Sequence, residues 1–325
     1  MKQVQLSIAM TAYNGSRFIQ QQLDSIADQT RLPDELVVCD DGSTDDTVAI
    51  IQRFASTSPF PVRLFVNLQN LGFSKNFEKA INLCKGDVIF ISDQDDVWHS
   101  KKLERCAALF VESPELGMVF TDSSLVNEEL QPLGYTLWER FGFDLEQQSY
   151  YEENRGFEIQ IRHSFAVGAA IAFRASLKSF VLPIPDIWLY DAWIPTVIAE
   201  IAPCRLIPEP LYKYRQHEKQ AMGARKKNIL VKYIEAKRQE NPQFILSIAE
   251  QYIFLRKYLL ALDTVHIDSK IIAMLDRKIA FYRKRAQIRS LFNLLRLKLV
   301  FQEALTQNYT QFALGWKTIL RDIFI

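Results

Sequence analysis

The chain has 325 residues, 48% of them hydrophobic and 24% charged. These are the proportions of a globular protein with room for one large domain, or for a domain and a sizeable extension. Four scattered cysteines, with no CxxC pair or metal-ligand spacing, argue against a disulfide framework and for reduced, mostly buried thiols. The net charge of +1 conceals a split, with 19 Lys/Arg against 8 Asp/Glu from Arg225 onward and 20 against 30 before it. Such a division predicts two parts with different partners.

In chain order, the start from Met1 to Met10 is too short and too interrupted for a signal peptide and reads as a first strand. No run approaches the ~20 apolar residues of a membrane span, so the expected location is cytoplasmic. Apolar runs predict strands over 5–11, 35–39, 62–66, 88–92 and 117–121. Helical periodicity falls between them, over 18–28, 45–56, 73–84 and 100–113. This βαβα alternation predicts an α/β fold with a mostly parallel sheet flanked by helices, and such sheets bind ligands beyond the carboxyl ends of their strands.

The polar signatures cluster at those ends. The first strand runs into Thr11-Ala12-Tyr13-Asn14-Gly15, a turn with an aromatic able to stack on a base. The second ends in Asp40-Asp41-Gly42-Ser43-Thr44-Asp45, where Gly42 permits a tight turn and the following residues can cap a helix. Two adjacent acids exceed what a cap needs, and one could accept the imide N–H of uracil or thymine. Lys75, in a polar loop opening a helix, is either an ordinary solvated lysine or a phosphate contact. The fourth strand ends in Asp93-Gln94-Asp95-Asp96-Val97-Trp98. Like charges at the end of a buried strand repel and are penalised by desolvation. A hard divalent cation such as Mg²⁺ or Mn²⁺, bridging a diphosphate, would remove the conflict.

The stretch 123–162 has a poor period and reads as an irregular excursion, and 165–174 as a small-residue strand close to a ligand. In Trp188-Leu189-Tyr190-Asp191-Ala192-Trp193 an acid stands between tryptophans, whose walls would raise its pKa toward that of a general base. The alternative is a helix cap beside core aromatics. A last strand ends in Tyr214-Arg215-Gln216-His217. The fork of Arg215 suits diphosphate oxygens, and His217 is a metal ligand, a phosphate donor or a plain surface histidine.

Thr11-Ala12-Tyr13-Asn14, Asp40-Asp41-Gly42-Ser43-Thr44-Asp45, Asn70-Leu71-Gly72 with Lys75-Asn76, and Asp93-Gln94-Asp95-Asp96 occur in this order at ordinary spacing. The set resembles the family 2 glycosyltransferases of GT-A fold over roughly residues 3–220. Asp-Gln-Asp-Asp-Val-Trp, with Tyr-Asp-Ala-Trp and Tyr-Arg-Gln-His downstream, is most similar to the bacterial rhamnosyltransferase branch. The resemblance implies that Thr11, Tyr13 and Asp41 hold the pyrimidine and ribose of a donor, with Asp40 nearby and Lys75 as a basic residue near the nucleotide. It implies that Asp93 and Asp95 form the DxD motif, with Asp95 or Asp96 on the metal, Asp191 as the base of an inverting reaction, and Arg215 and His217 closing over the diphosphate. Tyr190 departs from the His or Glu usual before that aspartate. The implied donor is a nucleotide sugar, dTDP-L-rhamnose in preference to another UDP-, dTDP- or GDP-sugar. The implied acceptor is a glycan or lipid-linked oligosaccharide in cell-surface polysaccharide (O-antigen) synthesis.

The expected division is a catalytic domain over 1–222 and a basic helical extension over 223–325. In the extension, residues 289–301 read as one helix mixing bulky apolar residues with three cations. It could contact the cytoplasmic face of the inner membrane as a peripheral helix, or belong to a helical hairpin packed on the catalytic domain or on a second copy in a homodimer. No motif supports nucleic acid as a partner. A nucleotidyltransferase would need a Gly-rich, Arg/Lys-bearing loop after the first strand, which 11–17 lacks. A non-catalytic nucleotide- or glycan-binding module would be expected to lose the DxD motif or the base, and both are present.

Overall fold

The computed structural model describes residues 4–162, 168–217, 241–291 and 294–324. Strands β1 (Leu6–Ala12), β2 (Glu35–Asp40) and β4 (Val88–Ser92) are buried along their whole length, as expected of strands covered on both faces. β3 (Val62–Val66) lies at one end of the sheet and is half-buried. Helices α1 (Ile19–Ala27), α2 (Thr47–Thr57) and α3 (Phe73–Leu83) connect these strands. Each places its apolar residues at helical spacing: Ile19, Leu23 and Ile26; Ile50 and Phe54; Phe77, Ala80 and Ile81. The crossovers make β1 parallel to β2 and β4, and β2 parallel to β3.

Beyond β4 the sheet becomes mixed. After β5 (Val97–Trp98) and α4 (Lys102–Glu112) comes β6 (Met118–Val126). β8 (Ile171–Arg174) runs antiparallel between β4 and β6, and β9 (Cys204–Arg215) lies parallel to β6. The two-residue β5 pairs antiparallel with the end of β9, and β7 (Pro132–Thr136) with β6. The expected parallel arrangement therefore holds for the first four strands, and a second half with short connections adds antiparallel ones.

The stretch 123–162 is more ordered than its weak periodicity predicts. It finishes β6, forms β7, and adds α5 (Leu137–Phe141), α6 (Leu145–Glu152) and α7 (Gly156–Arg162). These helices are too short to show a clear period. Thr136 and Glu139 form a capping box on α5, Asp144 caps α6, and Trp138, Phe143 and Tyr151 gather around Phe120. Of the strand expected over 165–174, residues 165–167 lie outside the described set. Gly168–Ala170 is a 3₁₀ turn, leaving only Ile171–Arg174 extended. Helices α8 (Lys178–Val181) and α9 (Tyr190–Ile201) precede β9.

The chain divides into two compact units, residues 1–160 with 164–224, and residues 161–163 with 225–325. The expected boundary at 222/223 falls outside the described residues. In the second unit the described helices are α10 (Pro242–Leu260), α11 (Ser269–Arg289), α12 (Leu294–Ala304), α13 (Asn308–Phe312) and α14 (Trp316–Phe324). The helix expected over 289–301 is instead divided: α11 ends at the cap Ser290, so Arg289 belongs to it, and α12 begins at Leu294. No helix among the described residues is long and apolar enough to cross a membrane.

This unit also buries charge. Arg285 reaches Asp322 through Nε and Nη2, both at 2.8 Å, and the Tyr309 hydroxyl donates to Asp322 Oδ2 at 2.7 Å. Removing one member leaves the others without compensation. Asp322→Asn should therefore cost about 3–5 kcal/mol in urea unfolding, and most of it should return in Arg285→Met/Asp322→Leu/Tyr309→Phe.

Candidate active site

The loops after β1, β2 and β4 meet at the carboxyl edge of the parallel strands. The first two are tied together residue by residue. Asn14 donates its N–H to Ser43 Oγ at 2.8 Å and accepts the Thr44 N–H at 2.9 Å. The Gly15 N–H reaches Thr47 Oγ1 at 2.8 Å, and the Ser16 N–H reaches Asp45 Oδ2 at 3.1 Å. The capping role open to Ser43, Thr44 and Asp45 is thus partly realised, since Asp45 also accepts the Thr47 N–H. Much of this set, however, holds the β1 loop.

Asp40 is buried and accepts the N–H groups of Gly42 and Ser43 at 3.1 and 2.8 Å. Asp41 accepts Leu71 N–H at 2.8 Å, Gly72 N–H at 3.0 Å and the Asn67 amide at 2.8 Å. A carboxylate offers about four acceptor positions, so Asp41 keeps one. Its first task is to shape the 67–72 loop, in which Gly72 adopts φ +79°. Thr11 is buried at the end of β1, whereas Tyr13 is 49% exposed and presents its ring to solvent.

Gln94 joins the third loop to the first. It accepts the Tyr13 N–H at 2.9 Å and donates to the Tyr13 carbonyl at 3.0 Å. Gly15 makes the approach feasible, because a Cβ there would lie 2.0 Å from Gln94 Oε1. The residue between the two acids of the DxD motif is therefore the clamp that sets the motif beside Tyr13.

Asp95 and His217 face each other with Oδ2 and Nε2 2.8 Å apart. Asp96 is fully buried; it accepts the Arg215 N–H at 3.2 Å, and its Oδ2 has no partner among the described residues. Burial first, then the neighbouring acids, raise Asp93 and Asp96 above the usual carboxylate range. Below them lies Lys102, 1% exposed, donating to the Ala169 carbonyl at 2.5 Å, with Nζ 4.0 Å from the Trp98 ring centre and 4.4 Å from that of Tyr212. Burial lowers its ammonium to about 8, opposed by Cys106, Asp96 and Asp93. The sequence carried a signal for it, a lysine at a core position of α4, but spacing alone did not connect it to the acids.

Two residues expected near the nucleotide, Arg215 and Lys75, are engaged with protein partners. Arg215 is 1% exposed; its Nε donates to the Asp95 carbonyl at 2.7 Å, Nη2 to Gln21 at 2.5 Å and Nη1 to the Glu128 carbonyl, while Phe18 packs on the guanidinium at 4.5 Å. Its fork is occupied by protein acceptors, so in this arrangement it supports the acidic turn from behind. Lys75 donates to the Ile184 carbonyl at 2.7 Å and pairs with Glu78 at 3.0 Å and Asp186 at 3.3 Å. Its three N–H donors all have partners, and it braces the segment that leads to α9.

Asp191 lies in the first turn of α9, half-buried. Burial raises its carboxyl to about 6, against hydrogen bonds from the N–H groups of residues 191 and 192. It is close enough to Asp93 to raise that group too. Pro195, inside the helix, has no N–H to give the Asp191 carbonyl its helical partner. The flanking tryptophans serve the core instead of walling the acid: Trp193 donates its indole N–H to the Val181 carbonyl at 3.0 Å, with Trp188 tilted against it at 5.7 Å. The aromatic beside the acid is Tyr190, stacked on Phe77 at 4.0 Å. A Cβ at Gly168 would lie 2.0 Å from the Tyr190 hydroxyl, which explains the glycine there.

The model of glycosyl transferase family 2 matches residues 7–179. The chain belongs to glycosyl transferase family 2. Relatives include the chondroitin synthase of Escherichia coli, 35% identical over 130 residues, which cover 40% of this chain and 19% of that protein. The dTDP-rhamnosyl transferase RfbG of Shigella flexneri is 34% identical over 99 residues, 29% of this chain and 34% of the relative. The chain thus spans a fifth or less of the chondroitin synthases it matches. Two solved structures share the GT-A fold. Staphylococcus aureus TarS 1–349 in complex with UDP-GlcNAc has a TM-score of 0.57 at 15% identity, covering 92% of this chain and 80% of that one. The mannosyltransferase PcManGT of Pyrobaculum calidifontis, in complex with GDP-Man and Mn²⁺, has a TM-score of 0.55 at 16% identity, covering 99% and 86%.

A nucleotide sugar and a divalent cation are the ligands this fold class implies. No group of three or more His, Cys, Asp or Glu residues is arranged around one point among the described residues. That does not conflict with a cation, because Mg²⁺ is commonly held by one or two carboxylates, water and substrate phosphates. The Asp95–His217 pair and the unpartnered Asp96 Oδ2 fit such a site, and the imidazole nitrogen suits Mn²⁺. Because Arg215 orients the turn, Arg215→Lys should weaken Mn²⁺ binding about 10- to 100-fold in a thermal-shift titration. Nucleotide binding without metal should change little; an equal loss of metal-free binding would return Arg215 to the diphosphate.

Proposed function

We propose that this chain is an inverting, metal-dependent glycosyltransferase that moves L-rhamnose from dTDP-L-rhamnose to a hydroxyl of a glycan acceptor carried on a lipid diphosphate. The observation that carries the reading is that Asp191, its carboxyl raised to about 6 by burial, lies close to Asp93 of the acidic turn, which Gln94 ties to Tyr13. Rhamnose as the donor sugar is supported by the Asp-Gln-Asp-Asp-Val-Trp segment and the partial similarity to RfbG. The catalytic domain is taken as 1–222 and the basic extension as 223–325. The extension is assigned to the cytoplasmic face of the inner membrane, with a homodimer as the alternative use of its surface.

In this reading Tyr13 stacks on the pyrimidine, and Thr11 and the free acceptor position of Asp41 meet the base and ribose. Asp40 keeps the Gly42–Ser43 turn in shape for them. Asp93, the first acid of the DxD motif and a near neighbour of Asp191, would face the donor. Asp95 and His217, with Asp96 behind, would hold the cation, which when bound neutralises the charge developing on the leaving diphosphate. Asp191 takes the proton of the acceptor hydroxyl as its oxygen attacks the anomeric carbon from the face opposite the diphosphate, inverting the configuration. One base suffices, because water is not the nucleophile and no second carboxyl has to activate it.

A base must be ionised to accept a proton. Transfer should therefore fall tenfold per pH unit below about 6, the value to which Asp191 is raised, and level off above it. Asp191→Asn should lower kcat by about 10²–10⁴ while leaving donor affinity within twofold of wild type (roughly, since the group acts on the acceptor). Full transfer by that variant would remove Asp191 as the base.

The donor is tested by a thermal-shift screen of dTDP-, UDP- and GDP-sugars with and without Mg²⁺ or Mn²⁺, followed by transfer assays on the best ligand. dTDP-L-rhamnose should raise the melting temperature most, and more with metal than without. Asp95→Ala should abolish the metal-dependent part. A larger shift with another nucleotide sugar would replace the rhamnose assignment, and transfer in the presence of chelator would remove the metal.

A further inference from the structure

Helix α14 has its faces reversed. Its buried residues are Thr318 and Asp322, whereas Trp316, Leu320 and Phe324 are 66%, 43% and 77% exposed. Spaced at i, i+4 and i+8, these three form one stripe on the outer side. The reversal has a cause within the unit, because Asp322 must face inward to meet Arg285 and Tyr309. Next to α14, helix α12 and the turn after it expose Leu295, Phe301 and Leu305, at 54%, 63% and 86%. Leu314 is 48% exposed.

The charges are sorted in the complementary sense. Residues 294–324 contain two acids and four cations. Glu303 is 3% exposed and paired with Lys284 at 2.6 Å, and Asp322 is fully buried in its ion pair. Both acids are therefore withdrawn and neutralised, while Lys298 and Lys317 are exposed and Arg296 and Arg321 half-buried. The exposed charge of this segment is positive, and its exposed bulky apolar side chains stand beside the neutral Gln302, Thr306, Gln307 and Thr310. Exposed cations with no exposed acid among residues 294–324 give this face a field of one sign, which an anionic surface complements. A bilayer with anionic headgroups asks for what this face offers, apolar side chains to enter the acyl boundary and cations at the phosphates.

We propose that α12 and α14 form a membrane-docking face that seats this chain on an anionic lipid surface, with Trp316, Leu320, Phe324, Phe301 and Leu305 inserted and Lys298 and Lys317 at the headgroups. This assignment deepens the membrane contact named above but is tested without any transfer reaction, so its failure and that of the glycosyltransferase reading are separable.

The experiment is co-sedimentation of the full chain with vesicles of phosphatidylcholine alone or mixed with phosphatidylglycerol. Binding should be at least about tenfold tighter to the mixed vesicles, each effective cation being worth roughly fivefold. Trp316→Ser/Leu320→Ser/Phe324→Ser should abolish it, and Lys298→Glu/Lys317→Glu should remove the preference for anionic lipid. Leu145→Ser, at an exposed leucine of the other unit, should bind like wild type. Melting curves verify folding, and should a serine variant melt early, the charge-reversal variant carries the test. Absence of the protein from vesicle pellets, or binding that survives both sets of substitutions, overturns the proposal. So does a concentration-dependent dimer in gel filtration that the serine variant dissolves, since a second copy would then own the face.

Discussion

Carboxylates held side by side at the end of a buried strand repel one another, and burial penalises each. The rest of this candidate site is organised around tolerating that arrangement at residues 93–96. The Arg215 N–H supports Asp96, and the Arg215 guanidinium takes the Asp95 carbonyl. Lys102 brings a buried cation from α4, and His217 meets Asp95 from the outer side. None of these contacts satisfies Asp96 Oδ2. The turn is thus preorganised while one buried carboxyl oxygen keeps an open acceptor position, a feature that a bound cation would compensate.

The same economy extends outward. Gln94 clamps the turn to the Tyr13 backbone, Asp45 and Ser43 hold the β1 loop, and Asp41 and Asn67 hold the loop before α3. Lys75, by way of Ile184 and Asp186, steadies the approach to Asp191. Polar residues that look like ligand contacts in sequence therefore divide into those that touch one another and those with atoms to spare. Tyr13, with its exposed ring, and Asp191, half-buried with a raised pKa, belong to the second group. Each loop residue committed to protein lowers the entropy lost when the substrate orders the site.

The second unit handles charge by the opposite route. There the acids turn inward, Asp322 to Arg285 and Glu303 to Lys284, and the apolar residues of α14 turn outward. A buried ion pair is a poor source of stability when compared with a packed apolar core, so burying Asp322 while exposing Trp316 and Phe324 makes little sense for a helix surrounded by water. It makes sense for a face that meets another apolar phase.

The alternation of strands and helices in the first half was legible without coordinates, because hydrophobic periodicity is a local property. The predicted strands over 35–39, 62–66 and 88–92 all lie within strands of the structure, and the predicted helices match to within a few residues. Family membership was legible too, because it rests on short ordered motifs. The excursion at 123–162 was not, because its helices are too short to display a period and are held by the packing of Trp138, Phe143 and Tyr151 around Phe120. The break between α11 and α12 was hidden for a related reason: an apolar, basic run is compatible with one helix or with two.

What residue types and spacing determined by themselves was the βαβ half of the fold, the carboxyl edge where chemistry collects, and the list of acids there. Only tertiary structure decided what each polar side chain does with its hydrogen-bonding capacity. Arg215 could have met a phosphate or a carbonyl, and Asp322 water or a buried arginine. Sequence records which donors and acceptors exist. The choice among partners depends on distances between atoms far apart in the chain, and on how much water each pairing excludes.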